Sequence, residues 1–234
     1  MIGRFMILTV AMAMAAAPTF AGVPGSVKAA DFGAKGDGVA DDTAAIQKAL
    51  DSLTSGGVCH LAAGSYVLSA ELKIPAGGTL MGEGARWENS ATRLIVPKNG
   101  FSAVRLSHGS CVKGLAISYP NNQDNSKPEA YPPSILLGGI NPSVENIVFD
   151  CAWIGISTPA GGGNAGQGLF RDITGFVHSV GIHLSGCRDV NRIEDVHWFV
   201  GGKNGPGRAY FRDHRVGFEF GDVDGTLMDR CFMI

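Results

Sequence analysis

Charge is scarce in this sequence. Only 17% of residues are Asp, Glu, Lys or Arg, and they nearly cancel to a formal net charge of −2. That balance excludes a general attraction to nucleic acid or to an anionic membrane. Cysteine occurs five times, at 59, 111, 151, 187 and 231, and never as a CxxC pair. A zinc or dithiol redox centre therefore has no support. The odd count leaves at least one thiol without an intramolecular partner, and most of the five read as small buried apolar residues. Strong hairpin turn signals are few, which argues against a β-sandwich, where two-residue turns abound. What is abundant is glycine, 34 residues of 234. With so little charge, that composition points to a turn-rich β protein rather than a helix bundle.

The N-terminus reads as an address rather than as structure. Arg4 precedes the apolar run "FMILTVAMAMAAA", and "PTFA" ends in a small residue. This is the layout of a signal peptide covering residues 1–21, with cleavage expected after Ala21. The run is short and alanine-rich for a membrane span, and no cysteine follows it to take a lipid. The expectation is a secreted or periplasmic protein with no membrane attachment after cleavage and one domain over residues 22–234.

Five segments share a pattern: apolar, any, turn residue, apolar, any, bulky or apolar. They are "VKGLAI" from Val112, "VENIVF" from Val144, "FRDITG" from Phe170, "IEDVHW" from Ile193 and "MDRCFM" from Met228. The third positions are Gly114, Asn146, Asp172, Asp195 and Arg230. Gly, Asn and Asp tolerate the tight or left-handed bend needed between two short strands; Arg230 fits less well. A second strand, "VRL", "ILL", "IGI", "IHL" or "FEF", precedes most of these. Repeats spaced from the low twenties to the mid thirties, with loops of variable length, describe a solenoid whose turns stack about 4.8 Å apart. Alternation then predicts an inward column of Leu115, Ile147, Ile173 and Val196. It also predicts two outward columns: Arg105, Leu136, Gly155, His183 and Glu219 in one, and Ala116, Val148, Thr174, His197 and Phe232 in the other.

"VKAADFGAKGDGVADDTAAIQKAL" followed by "GGVCHLAAGSYVLSAELKIPAGGTLMGEG" resembles the N-terminal part of the pectate lyase superfamily domain, shared by rhamnogalacturonase-, polygalacturonase- and epimerase-like proteins. The resemblance implies an all-β, right-handed parallel β-helix with a short N-terminal capping α-helix, in agreement with the repeats. The label itself reads as structural. Asp42 is expected to cap a helix starting at Thr43. Ala45, Ile46, Ala49, Leu50 and Leu53 form its buried stripe, and Gly36 and Gly38 around Asp37 make a turn. The family's paired-aspartate strand, His-Gly and Arg-x-Lys motifs are not found, so a paired-carboxylate hydrolysis cannot be carried over. No metal ligands can be placed either, and calcium is expected only if the chemistry is that of a lyase.

Candidate site residues come from geometry. His183 and Glu219 fall on adjacent coils, where a His–carboxylate pair can move a proton. The loop "GPGRAYFRDHRVG" gathers Arg212, Asp213 and His214 as further catalytic candidates. It also offers Arg208, Tyr210 and Arg215 for binding a sugar ring and its carboxylate. Trp153 and Trp198 read as core. The expected function is that of an exported carbohydrate-active enzyme on an acidic, uronate-containing polysaccharide, by elimination or glycoside hydrolysis. The alternatives are a non-catalytic glycan-binding or structural β-helix, a trimer if fibre-like, and a polymer-level uronate epimerase. "DRCFMI" ends inside a strand pattern, which raises the expectation of a truncated C-terminus.

Overall fold

The computed structural model of the protein describes residues 25–54, 56–87, 89–123, 128–161, 163–199 and 213–234. The expected signal peptide, and with it Arg208, Tyr210 and Arg212, lies outside the described residues. Every strand pairing among the described residues is parallel. Together the strands wind as a right-handed parallel β-helix with three faces.

The first face begins with Ser26–Lys28, Val58–His60 and Thr79–Met81. It continues through the opening residues of the longer strands Cys111–Ser118, Ser143–Ser157, Leu169–Leu184 and Cys187–Trp198. The second face takes Gly64–Val67 and Thr92–Ile95, then the later residues of those same long strands. The third face holds Leu72–Ile74, Val104–Leu106, Ile135–Leu137, the ends of Ser143–Ser157 and Leu169–Leu184, and Val216–Phe220.

The corner between the first two faces is one residue wide, and its backbone is left-handed in each of the five repeats. Gly114, Asn146, Asp172, Asp195 and Arg230 have φ of 69°, 50°, 54°, 52° and 49°. A single left-handed residue lets a strand turn sharply while apolar residues on both sides of it, such as Val144 and Ile147 around Asn146, stay in the core. Asn and Asp adopt that geometry more readily than other non-glycine residues. Arg230, the poorest fit by type, takes the same bend, and its guanidinium pairs with Asp195 one coil earlier at 2.7 and 2.9 Å. Asn146 is fixed further, since its Oδ1 accepts from the Ala85 N–H at 2.9 Å.

The predicted inward column is present. Leu115, Ile147, Ile173 and Val196 pair in register and are fully buried. Each contributes on the order of 1.5–3 kcal/mol of apolar burial, and stacking makes every coil the lid of the one before. The second predicted outward column, Ala116, Val148, Thr174, His197 and Phe232, is also in register. Its first part is not exposed, because the segment that carries Ala85 folds over Ala116 and Val148. Trp198 is fully buried and Trp153 packs on the core.

The helix spans Thr43–Asp51, starting where the sequence places it, with Ile46, Ala49 and Leu50 buried and Ala45 and Leu53 partly so. It packs against Val58–His60 and Leu72–Ile74. Asp42, however, does not cap it through its side chain. The Asp42 carboxylate turns the other way and accepts from the backbone N–H groups of Lys35 at 2.7 Å and Gly36 at 3.1 Å. The helix-start N–H is taken by Asp41, whose Oδ1 accepts from Thr43 N at 3.0 Å and Thr43 Oγ1 at 2.6 Å. The reason is local: the turn at Gly36 and Gly38 aims two loop N–H groups at Asp42, leaving its neighbour to serve the helix. All five cysteines are free thiols; burial pushes the Cys59 thiol up to about 12.

Candidate functional site

The outward side of the third face carries one continuous column: Lys73, Arg105, Leu136, Ser157, His183 and Glu219. The expected membership holds at Arg105, Leu136, His183 and Glu219 but not at Gly155. Ser157, two residues further along the same strand, is the partner of both Leu136 and His183, and Gly155 falls in register with Gly181. Gly155 belongs to a different stack. A Cβ built on it would lie 2.5 Å from the Gly181 carbonyl oxygen, and one on Gly181 would lie 2.4 Å from that of Gly217 and as close to the Trp198 indole. Only glycine allows coils to approach so closely beside a buried tryptophan. Each of these glycines sits two residues before a column member, giving Gly155-Ile156-Ser157, Gly181-Ile182-His183 and Gly217-Phe218-Glu219. That repeated Gly-apolar-polar triplet is the signal in the sequence that identifies Ser157.

A cavity of about 360 Å³ opens beside His183, lined also by Pro159, Ala160, Gly161, Ser185, Gly186 and Asp222. His183 is half-buried at its edge. Its Nδ1 lies 3.0 Å from Ser157 Oγ, and Ser157 Oγ lies 2.8 Å from the Thr158 carbonyl oxygen, to which it donates. Glu219 is exposed on the next coil, in register with His183, yet the two form no direct ion pair among the described residues. Asp222 is not a free carboxylate. Arg188 grips it through both oxygens at 3.0 and 2.7 Å, and those bonds hold its carboxyl below the usual carboxylate range. Arg188 also reaches Asp224 at 3.2 Å, so this guanidinium is committed to the wall of the cavity.

The loop candidates separate. Asp213 and His214 are exposed just before Val216–Phe220. Arg215 turns its guanidinium onto the backbone carbonyls of Phe199 and Ile234. Two further cations belong to the column. Arg105 pairs with Glu71 at 2.7 Å. Lys73 is exposed, and its backbone is tied to Gln47 of the helix at 2.8 and 3.1 Å. No group of three or more His, Cys, Asp or Glu that could hold a metal ion occurs among the described residues. The three opening aspartates are spent on separate hydrogen bonds: Asp37 on Val39 and Ala40, Asp41 on Thr43 and Ser69, and Asp42 on Lys35 and Gly36.

Three stacked faces and left-handed corners define a right-handed parallel β-helix, and a polar column runs beside its cavity. Residues 26–117 match the family described as Rhamnogalacturonase A/epimerase, pectate lyase-like. Alginate lyase 7 of Azotobacter vinelandii is 34% identical over 117 residues, covering 42% of this chain and 13% of that protein. Mannuronan C5-epimerase AlgE2 of the same organism is 38% identical over 81 residues, 34% of this chain and 7% of that one. The chain thus spans a small part of the length of these relatives. The catalytic unit of a thermostable GH87 alpha-1,3-glucanase from Streptomyces thermodiastaticus shares the fold. It is 17% identical with a TM-score of 0.63, over 91% of this chain and 36% of that one. The family match includes Lys73 and Arg105 but ends before Ser157, His183 and Glu219.

Proposed function

We propose that the protein is an exported β-helix enzyme that removes a proton from a uronate residue within an acidic polysaccharide. The observation that carries this reading is the in-register column of the third face, which runs from two cations, Lys73 and Arg105, to His183 and Glu219 beside the cavity. Coils repeat about every 4.8 Å, so Arg105 stands three steps, roughly 14 Å, from His183. A polymer lying along the column meets these cations at neighbouring uronates and the imidazole at the reacting one. The cations thus bind and align the chain, and alignment is itself a large part of a rate enhancement.

In this reading His183 takes the proton beside the uronate carboxylate. If the glycosidic oxygen then leaves, the product is an unsaturated chain end. If a proton returns from the opposite face, the product is the epimer and the chain stays whole. Both outcomes begin with the same proton removal, and relatives named for a lyase and for C5-epimerases support that common first step. Hydrolysis draws less support. It needs two carboxyl groups flanking the scissile bond, whereas the column offers Glu219 and the nearby Asp222 is held by Arg188.

The test is a panel of uronate and neutral polysaccharides, assayed for ultraviolet-absorbing unsaturated ends, for reducing ends, and for deuterium uptake from heavy water into the uncut polymer. Unsaturated ends or deuterium uptake on a uronate polymer alone are expected. Reducing ends without unsaturation would replace this reading with hydrolysis. Binding with none of the three signals would replace it with a glycan-binding module. Chelation with EDTA during the same assay decides whether activity needs a divalent cation.

A further inference from the structure

The column places a hydroxyl, not a carboxylate, on His183 Nδ1, and the bonding around that hydroxyl is directional. Ser157 Oγ has one proton. Its two close partners are His183 Nδ1 at 3.0 Å and the Thr158 carbonyl oxygen at 2.8 Å. A carbonyl oxygen can only accept, and with the Ser157 proton directed at the nearer Thr158 oxygen the bond to His183 runs from Nδ1–H to Oγ. The acceptor end is rigid. Thr158 N–H donates to the His183 carbonyl oxygen at 3.2 Å, and Thr158 Oγ1 accepts from Ser185 N–H at 3.0 Å. Ser157 and Thr158 are 5% and 2% exposed, so water does not compete for these bonds.

We infer that Ser157 is a positioning residue that holds His183 as the Nδ1–H tautomer and leaves the Nε2 lone pair bare as the proton acceptor. The inference rests on His183 being the base of the proposed reaction, but the tautomer itself is a property of the protein without substrate. The relay ends on a peptide carbonyl, which cannot take a proton. It therefore orients the ring and selects the nitrogen without passing charge on, and the proton gained at Nε2 stays on the imidazole. Glu219, in register on the following coil, is then left to meet Nε2–H only once His183 is protonated.

The decisive measurement is nitrogen-15 NMR of the substrate-free protein with labelled histidine, at a pH where His183 is neutral. The His183 signals are identified by their loss in His183→Gln. A pyrrole-type Nδ1 and a pyridine-type Nε2 are expected. The reverse pattern in the parent protein overturns the inference, whatever the protein does to any polysaccharide. Ser157→Ala is expected to move the ring towards the Nε2–H form and to lower kcat on a uronate polymer roughly 10- to 100-fold, near the lower end of a general acid–base contribution, with KM little changed. Ser157→Thr, which keeps the hydroxyl, is expected to restore both the spectrum and the rate. An Nδ1–H ring that persists in Ser157→Ala would show that something other than Ser157 fixes it. A correct tautomer in a protein without activity would leave the inference standing and remove the proposed reaction.

Discussion

The inward column of the second face and the outward column of the third share the strands Ser143–Ser157 and Leu169–Leu184, yet they obey opposite rules. Along the first, Leu115, Ile147, Ile173 and Val196 are nearly interchangeable, because each must fill the same volume above its predecessor. Along the second, Lys73, Arg105, Leu136, Ser157, His183 and Glu219 have little chemistry in common. The backbone repeats in both, but only the core demands that the side chain repeat with it. A solenoid thus makes its inside redundant and its outside free. The strongest sign of a site is a column whose members stop resembling one another while the backbone beneath them stays regular.

The sharpest way to break this contrast is to put an outside residue inside. Ile147→Asp would bury a carboxylate with no partner in a fully apolar column. The penalty is several kcal/mol against a total stability of the order of 5–15 kcal/mol. Loss of cooperative melting and of soluble expression is expected, whereas Ile147→Val should lose only about 1 kcal/mol. A soluble Ile147→Asp protein with a cooperative transition would mean that the column is not the core.

The complementary change leaves the fold alone and removes the chemistry. His183→Gln is expected to lower turnover on a uronate polymer by at least about 100-fold, close to 2.7 kcal/mol of transition-state stabilisation. The melting temperature should stay where it is, since the ring is half-buried and contributes nothing to the apolar column. Near-full activity in this variant would remove the third-face site from consideration.

What the sequence disclosed divides along the same line. The left-handed corners and the inward column could be read directly, because both depend on local rules: which residue types tolerate positive φ, and which face alternation points inward. Even Arg230, a poor match by type, keeps its place. Two things were not legible. The column takes Ser157 rather than Gly155, and a slip of two residues keeps the same face and is therefore invisible to alternation; only the recurring glycine triplet betrays it. The partners of Asp42 are backbone N–H groups of Lys35 and Gly36, and no side-chain pattern announces where a loop will aim its amides. Residues 26–117 carry the family likeness, while His183 lies beyond them, so resemblance pointed to the fold more firmly than to the site.

A smaller effect is expected at the corners. Asn146 is left-handed and accepts from Ala85 N–H. Asn146→Val should cost on the order of 1–2 kcal/mol in strain, together with the lost hydrogen bond. Asn146→Gly should lose only the bond, about 1 kcal/mol, because glycine takes the bend freely. Thermal or denaturant melts of the pair separate the two contributions. Equal losses would indicate that the bend is not what makes this position selective.

The smallest effect lies in the opening stretch, at a carboxylate that is outside by exposure yet fixed as firmly as a core residue. Asp41 accepts from Ser69 Oγ at 2.5 Å, from Thr43 Oγ1 at 2.6 Å and from Thr43 N at 3.0 Å. The Ser69 bond, followed by those from Thr43, holds its carboxyl below the usual carboxylate range. A carboxyl whose folded pKa is depressed stabilises the protein fully above its unfolded value, about 3.9, and loses that contribution as pH falls through the folded value. The melting temperature of the parent should therefore exceed that of Asp41→Asn at neutral pH, and the gap should close as the solution is acidified below about pH 4. The sign follows from which state binds the proton more tightly: the unfolded chain does, so acid favours unfolding of the parent but not of the variant at this position. A gap that stays constant down to the lowest pH at which both proteins melt cooperatively would show that the shape of the side chain, rather than its charge, holds Ser69 and Thr43 in place.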